Sequence, residues 1–268
     1  MSDHITSVIV LGTGTSQGVP VIGCECPVCN SGDPRDKRLR TSAFIESRGT
    51  ALAIDIGPDF RQQMLAHGLT DVDAILLTHE HDDHVSGLDD IRPINFIQKK
   101  NIPIFGLPRV LKNLRARYSY VFDTSYNYSG KPRVELVGIN TDTLHIGMLE
   151  VQPIEVRHGN LDILGYRFGD FAYITDAKII DEEWIDKLHG LDVLILNALH
   201  RRTHFSHLNL EEAIDMIERI KPKRAYLTHL SHEMGLAAEV ELELPENVFL
   251  AYDGMRLEII LKDDSKSD

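Results

Sequence analysis

Short apolar runs separated by glycine, proline and aspartate set the rhythm of this chain. Ser7–Leu11, Ser42–Glu46, Ala51–Ile56, Val72–Thr78, Ile102–Phe105, Met148–Val156, Ile163–Phe168, Phe171–Thr175, Val193–Leu196, Arg224–Thr228, Val248–Ala251 and Met255–Ile260 predict strands. The second and third read as a meander, and Ile163–Phe168 and Phe171–Thr175 as a hairpin around Gly169-Asp170. Helical spacing occurs at Phe60–His67, with Phe60, Met64 and Leu65 on one face. It recurs at Gly87–Gln98 (interrupted by Pro93), Arg109–Tyr118, Trp184–Leu188 and Leu210–Ile220, the last stopped by Pro222. No linker and no repeat at a solenoid period interrupts this order, so residues 1–268 are expected to form one α/β domain.

Four ligand-type side chains follow the buried strand Val72–Leu77: His79, His81, Asp83 and His84, within six residues. A strand ending there would spread them around a loop and the first turn of a helix. Imidazole and carboxylate together suit zinc, manganese or iron. Three cysteines, an odd number crowded into Cys24-Glu25-Cys26-Pro27-Val28-Cys29, fit a metal site better than disulfides. Gly12-Thr13-Gly14-Thr15-Ser16-Gln17-Gly18 is either a phosphate cradle or a tight turn between strands, and the turn is the stronger reading. Arg109, Lys112, Arg115 and Arg117 read as a solvated helix face, and the aromatic run Tyr118–Tyr128 as core under a loop or as the wall of a cleft.

Hydrophobic residues make up 43%, enough for a sizeable core. No apolar run reaches the roughly 18 residues a membrane span needs, and Met1-Ser2-Asp3-His4 opens no signal-like stretch. The expectation is a cytoplasmic protein with no membrane partner. A net charge of −13 argues against broad nucleic-acid binding and is compatible with a small anionic substrate held directly by metals. A homodimer is compatible with all of this.

The pattern His79-x-His81-x-Asp83-His84 resembles the signature of the metallo-β-lactamase superfamily. The resemblance spans nearly the whole chain and implies an αββα sandwich, with ligands converging from strand ends on one edge. It implies that His79, His81 and His158 hold one divalent metal, that Asp83, His84 and His229 hold a second, and that Asp176 bridges them. Asp55, in Asp55-Ile56-Gly57, matches an acid that hydrogen-bonds a ligand imidazole; read alone it is a turn aspartate. An Asp at 176 rather than a Cys sets aside the lactamases that use a cysteine ligand.

The run Leu11–Pro20 followed by Cys24-x-Cys26-x-x-Cys29 closely resembles the PhnP-type cyclic phosphodiesterases. That resemblance implies a structural zinc on Cys24, Cys26, Cys29 and His232, the last within Leu227-Thr228-His229-Leu230-Ser231-His232. Asp253-Gly254-Met255 matches the same family, and Gly165-Tyr166-Arg167-Phe168 is of a kind seen, more distantly, in tRNase Z. The implied activity is a dinuclear metal-dependent hydrolase cleaving a small cyclic or linear phosphodiester with a metal-bridging hydroxide. tRNA 3′ processing and thioester or lactone hydrolysis are the alternatives. The loop Thr203-His204-Phe205-Ser206-His207-Leu208-Asn209 departs from the PhnP pattern, since it carries two histidines and is one residue longer. His207 aligns best with the tRNase Z histidine that protonates the leaving oxygen, His204 with that of the phosphonate enzymes, and His207 is favoured.

Overall fold

The structure, a computed structural model, describes residues 4–123, 125 and 130–261. Its strands are β1 (His4–Gly12), β2 (Ser42–Ser47), β3 (Thr50–Ile54), β4 (Ala74–Leu76), β5 (Ile102–Gly106), β6 (Val134–Gly138) and β7 (Leu144–Ile146). There follow β8 (Leu149–His158), β9 (Leu161–Phe168), β10 (Phe171–Ile174), β11 (Val193–Asn197), β12 (Arg224–Thr228), β13 (Val248–Leu250) and β14 (Met255–Leu261). They form two seven-stranded sheets, β14-β1-β2-β3-β4-β5-β6 and β13-β12-β11-β10-β9-β8-β7. The helices are α1 (Phe60–His67), α2 (Asp82–Val85), α3 (Arg92–Gln98), α4 (Pro108–Arg117), α5 (Ser119–Phe122), α6 (Glu182–Asp186), α7 (Leu210–Ile220) and α8 (Ala237–Val240).

Both faces of the central strands are buried, which is why their sequences read as near-continuous apolar runs rather than alternating ones. On β3, Leu52 and Ile54 face the other sheet while Ala51 and Ala53 face helices. On β11, Val193 and Ile195 point inward and Leu194 and Leu196 outward. The layer between the sheets joins Val8, Val10, Ile45, Leu52 and Ile54 to Tyr166, Phe168, Tyr173, Val193 and Ile195. Phe60, Met64, Ile94, Val110 and Leu114 cover the outside of the first sheet; Trp184, Leu188, Ala213, Ile217 and Ile220 cover the second. This is the expected αββα sandwich.

Most elements lie where the pattern predicted them, and α7 and β12 match residue for residue. Pro93 opens α3 rather than breaking a helix, with a 3-10 turn, Leu88–Ile91, before it. Leu65 is 64% exposed; Gln63 takes its expected place on the buried side of α1, because its amide donates to Arg40 O. β6 and β7 were not foreseen: β6 is an edge strand of half-buried residues and β7 is three residues long. Tyr118 and Phe122 pack against the outer core of the first sheet, whereas Tyr126 and Tyr128, like the C-terminal Lys262–Asp268, fall outside the described residues.

What matters for chemistry is strand direction. β3, β4, β5 and β6 run parallel in one sheet, and β10, β11, β12 and β13 in the other. Parallel neighbours require crossovers, supplied by α1, α2–α3 and α4–α5 in the first sheet and by α6, α7 and α8 in the second. Their carboxyl ends therefore lie together, and in such sheets the crevice beyond the carboxyl ends is where ligands bind. Tyr166 Oη donates to Leu77 O at 2.6 Å and Leu164 N to Thr78 O at 3.1 Å, tying the two sheets together beside that edge.

Candidate metal centre and active site

β4 ends at Leu76, and the chain turns through His79 and His81 into the one-turn helix α2, which carries Asp83 and His84. Gly57 allows this turn to pack: a Cβ there would come within 2.1 Å of Asp83 O. Ile56 N donates to His84 O at 2.8 Å and Gly87 N to Ile56 O at 2.7 Å, closing the loop onto the end of β3. The second sheet brings His158 at the end of β8, Asp176 just past β10 and His229 just past β12. Asp55, Asp176 and His229 all take left-handed backbone (φ 60°, 60° and 57°), a conformation costing roughly 1–3 kcal/mol at a non-glycine residue. The strand ends are thus bent at the residues whose side chains meet.

Those side chains converge as the motif implied. The donor atoms of His79, His81 and His158 lie within 4.8 Å of one another; so do those of Asp83, His84 and His229. Asp176 belongs with His79 and His84 in one such group and with His158 and His207 in another, between the two triads. Its Oδ2 is 3.4 Å from His84 Nε2 and 3.2 Å from His229 Nδ1. His84 Nε2 and His207 Nδ1 are buried without a hydrogen-bond partner, although carboxylate oxygens lie 3.2–3.6 Å away. Buried polar atoms are nearly always paired, so these two orphans, aimed at carboxylates, fit cations seated among them.

The imidazoles are oriented from behind. Asp55 Oδ2 lies 2.6 Å from His84 Nδ1 and accepts from Thr78 Oγ1 at 2.8 Å, while Thr78 N donates to Asp55 Oδ1 at 2.8 Å. His84 Nε2 is thereby turned to the centre. His158 Nδ1 faces Ser206 O at 2.9 Å, His79 Nδ1 faces Thr78 Oγ1 at 3.0 Å, and His229 Nε2 faces Thr15 Oγ1 at 3.2 Å. Sequence reasoning missed Thr78, Thr15 and Ser206. Thr15 lies in the glycine-rich segment, which proves to be a turn packed on the site: Thr15 N donates to Leu230 O and Leu230 N to Thr13 O. Asp253 holds this turn, accepting from Thr13 Oγ1 at 2.7 Å and Leu39 N at 2.6 Å.

Burial opposes charge throughout the cluster. It pushes His79, His81 and His229 below their ordinary range and His207 down to about 3. Burial acts on His84 too, but Asp83, Asp55 and Asp176 outweigh it and raise that imidazole well above normal. Burial likewise opposes ionisation of Asp176, yet His229, His84, His79 and His207 hold its carboxyl well below the carboxylate range. Three carboxylates gathered around the His84 imidazole mark a pocket built for positive charge.

The two loop histidines are not equivalent. Leu208 N donates to Ala177 O at 2.8 Å and Asn209 caps α7 by accepting from Glu212 N at 2.8 Å. This sets the His207 ring 4.6 Å from that of His158 and 5.0 Å from that of His229, with Nδ1 3.6 Å from Asp176 Oδ1. His204 lies one ring farther out, 5.1 Å from His207, and its Nδ1 accepts from Ser206 N at 3.3 Å. The basic face of α4 is not merely solvated: Arg109 pairs with Glu80 inside the metal motif, and Arg117 with Asp82.

The cysteine loop closes on His232. Cys24, Cys26 and Cys29 Sγ lie 3.3, 3.3 and 3.6 Å from its Nδ1. Tetrahedral zinc with bonds of about 2.3 Å to sulfur and 2.0 Å to nitrogen needs S···N edges of about 3.5 Å, so the cluster has the right size. The Cys29 N–H, then His232, draw the Cys26 thiol down to about 6, while burial lifts Cys29 to about 11. Thiols this close ionise together only around a cation.

A family model for a beta-lactamase superfamily domain matches residues 50–230. This chain belongs to the β-lactamase superfamily. Among solved structures it is similar to a diphosphatase from the PhnP family: 38% identity, TM-score 0.90, covering 96% of this chain and 98% of that one. Among curated proteins it is 43% identical over 250 residues to an octanoyltransferase of Porphyromonas gingivalis, covering 92% of this chain but 50% of that protein's length. It is 38% identical over 216 residues to coenzyme PQQ synthesis protein B of a Methylobacterium species, covering 71% and 72% of the two chains. No helix among the described residues is long and apolar enough to cross a membrane.

Proposed function

We propose that the chain is a dinuclear phosphodiesterase for small cyclic or linear phosphodiesters. The observation that carries this is the pair of triads, His79/His81/His158 and Asp83/His84/His229, on either side of Asp176, with His207 beside them. The PhnP-family diphosphatase supports chemistry at phosphorus. Each triad would hold one divalent cation, zinc, manganese or iron by its donors, with Asp176 between them and a structural zinc on Cys24, Cys26, Cys29 and His232. When bound, the active-site pair makes hydroxide available near neutral pH and stabilises charge developing on phosphoryl oxygens.

The protein's own groups do the rest. Asp55 fixes the His84 tautomer through the 2.6 Å contact. Asp55→Asn should lower active-site metal affinity about 10- to 100-fold, read by chelator competition. Unchanged affinity would leave Asp55 as a turn residue. His207 is the proton donor to the leaving oxygen. Burial keeps its ring neutral at rest; an anionic diester beside it opposes that effect and favours the proton. His207→Ala should therefore reduce turnover of diesters with alkoxide leaving groups about 10²- to 10⁴-fold, and of nitrophenyl diesters far less, because nitrophenoxide leaves unaided. Equal losses would make His207 a positioning residue, and the same pattern in His204→Ala alone would move the role to His204.

A phosphoanhydride is the second reading, favoured by the description of the 38%-identical relative as a diphosphatase. A panel of bis-aryl and cyclic phosphodiesters, diphosphates, monoesters, thioesters, lactones, β-lactams and a tRNA precursor separates the possibilities. Turnover of diesters with little monoesterase and no lactam activity is expected. Cleavage confined to tRNA, or to thioesters, overturns the proposal.

A further inference from the structure

Phe205 is a large apolar residue left 79% exposed beside the site. Single exposed apolar residues usually mean nothing, but this one is seated. Gly159, the residue after His158, has φ +59° and no side chain, and a Cβ there would lie 3.3 Å from Phe205 Cε2 and 3.6 Å from Cδ2. The ring therefore rests on bare backbone next to a residue of the metal centre. The same loop carries His204 and His207, and the rings form a file inward. Phe205 to His204 is 5.0 Å, His204 to His207 5.1 Å, and His207 to His158 4.6 Å. Phe205 and His204 are tilted 34° to each other rather than set edge to face.

We infer that Phe205, backed by Gly159 and flanked by His204, is a stacking platform for a flat aromatic or heterocyclic group of the substrate, and so a specificity-determining residue. This rests on the phosphodiesterase reading for the reaction, but the platform itself is testable by binding. The chemistry it recognises is a planar π-face attached to the phosphoryl group; an alkyl ester offers nothing to stack.

The test compares phenylphosphonate with methylphosphonate by calorimetry on the metal-loaded full chain, in wild type, Phe205→Ala and Phe205→Tyr. An aromatic pair contributes enough for about a 2- to 12-fold preference. The wild type should prefer the phenyl ligand by that factor, Phe205→Ala should lose the preference while holding methylphosphonate, and Phe205→Tyr should restore it. For bis(p-nitrophenyl) phosphate the alanine variant should show its loss in KM more than in kcat. No preference in the wild type, or equal weakening of both ligands in Phe205→Ala, overturns the inference. If no phosphodiester is turned over yet the phenyl preference depends on Phe205, the functional reading fails and the platform stands. If diesters are turned over and the preference ignores Phe205, the platform alone fails.

Discussion

Replacing Asp176 should abolish turnover, with kcat/KM falling by about 10⁴ or more. Its carboxylate groups with His79 and His84 on one side and with His158 and His207 on the other, and so spans both triads. Without it, two adjacent cations would face only the Asp83 carboxylate, and their repulsion should release one or both. Alanine at φ 60° adds strain of about 1–2 kcal/mol. Asp176→Asn is the cleaner variant, because asparagine tolerates left-handed backbone and removes only the charge. Elemental analysis should show three metal ions per chain in the wild type and one or two in either variant, with the cysteine cluster still filled. Full activity at wild-type metal content would mean that Asp176 is not the bridge.

Cys26→Ser should cost one metal ion per chain and lower thermal stability. Structural zinc contributes directly to folding, so a loss on the order of 3 kcal/mol, about 10 °C in Tm, is expected. Activity should fall too. His232 is three residues beyond His229, and the intervening Leu230 is hydrogen-bonded to Thr13 and Thr15, whose hydroxyl touches His229. Releasing His232 loosens the segment that aims His229. The softer thiolates should keep zinc when the active-site pair is exchanged for manganese. An unchanged metal count in Cys26→Ser removes the assignment.

The elements were legible because each obeys a local rule: apolar runs for strands buried on both faces, and Pro222 stopping α7; Pro93, read as an interruption, instead opens α3. The metal motif was legible because four donors are contiguous. His158, Asp176, His229 and His232 were legible only through resemblance, since a lone histidine after a strand carries no mark of its own. Leu65 was misplaced because an eight-residue helix has too few turns to define a face, and the polar Gln63, two positions earlier, fills the buried place.

The sequence by itself determined the strand and helix order, the first four donors of the site and the three thiols, because those depend on neighbours along the chain. Only the tertiary structure decided the rest. It brought Thr15 to His229, Asp55 to both Thr78 and His84, and Ser206 to His158, as contacts between strand ends distant in sequence. It also set the two histidines of one loop at different depths, His207 beside Asp176 and His204 one ring farther out. His207 meets Asp176 because Leu208 N bonds Ala177 O, the residue after Asp176; a backbone hydrogen bond across 31 positions leaves no trace in the local pattern of either segment.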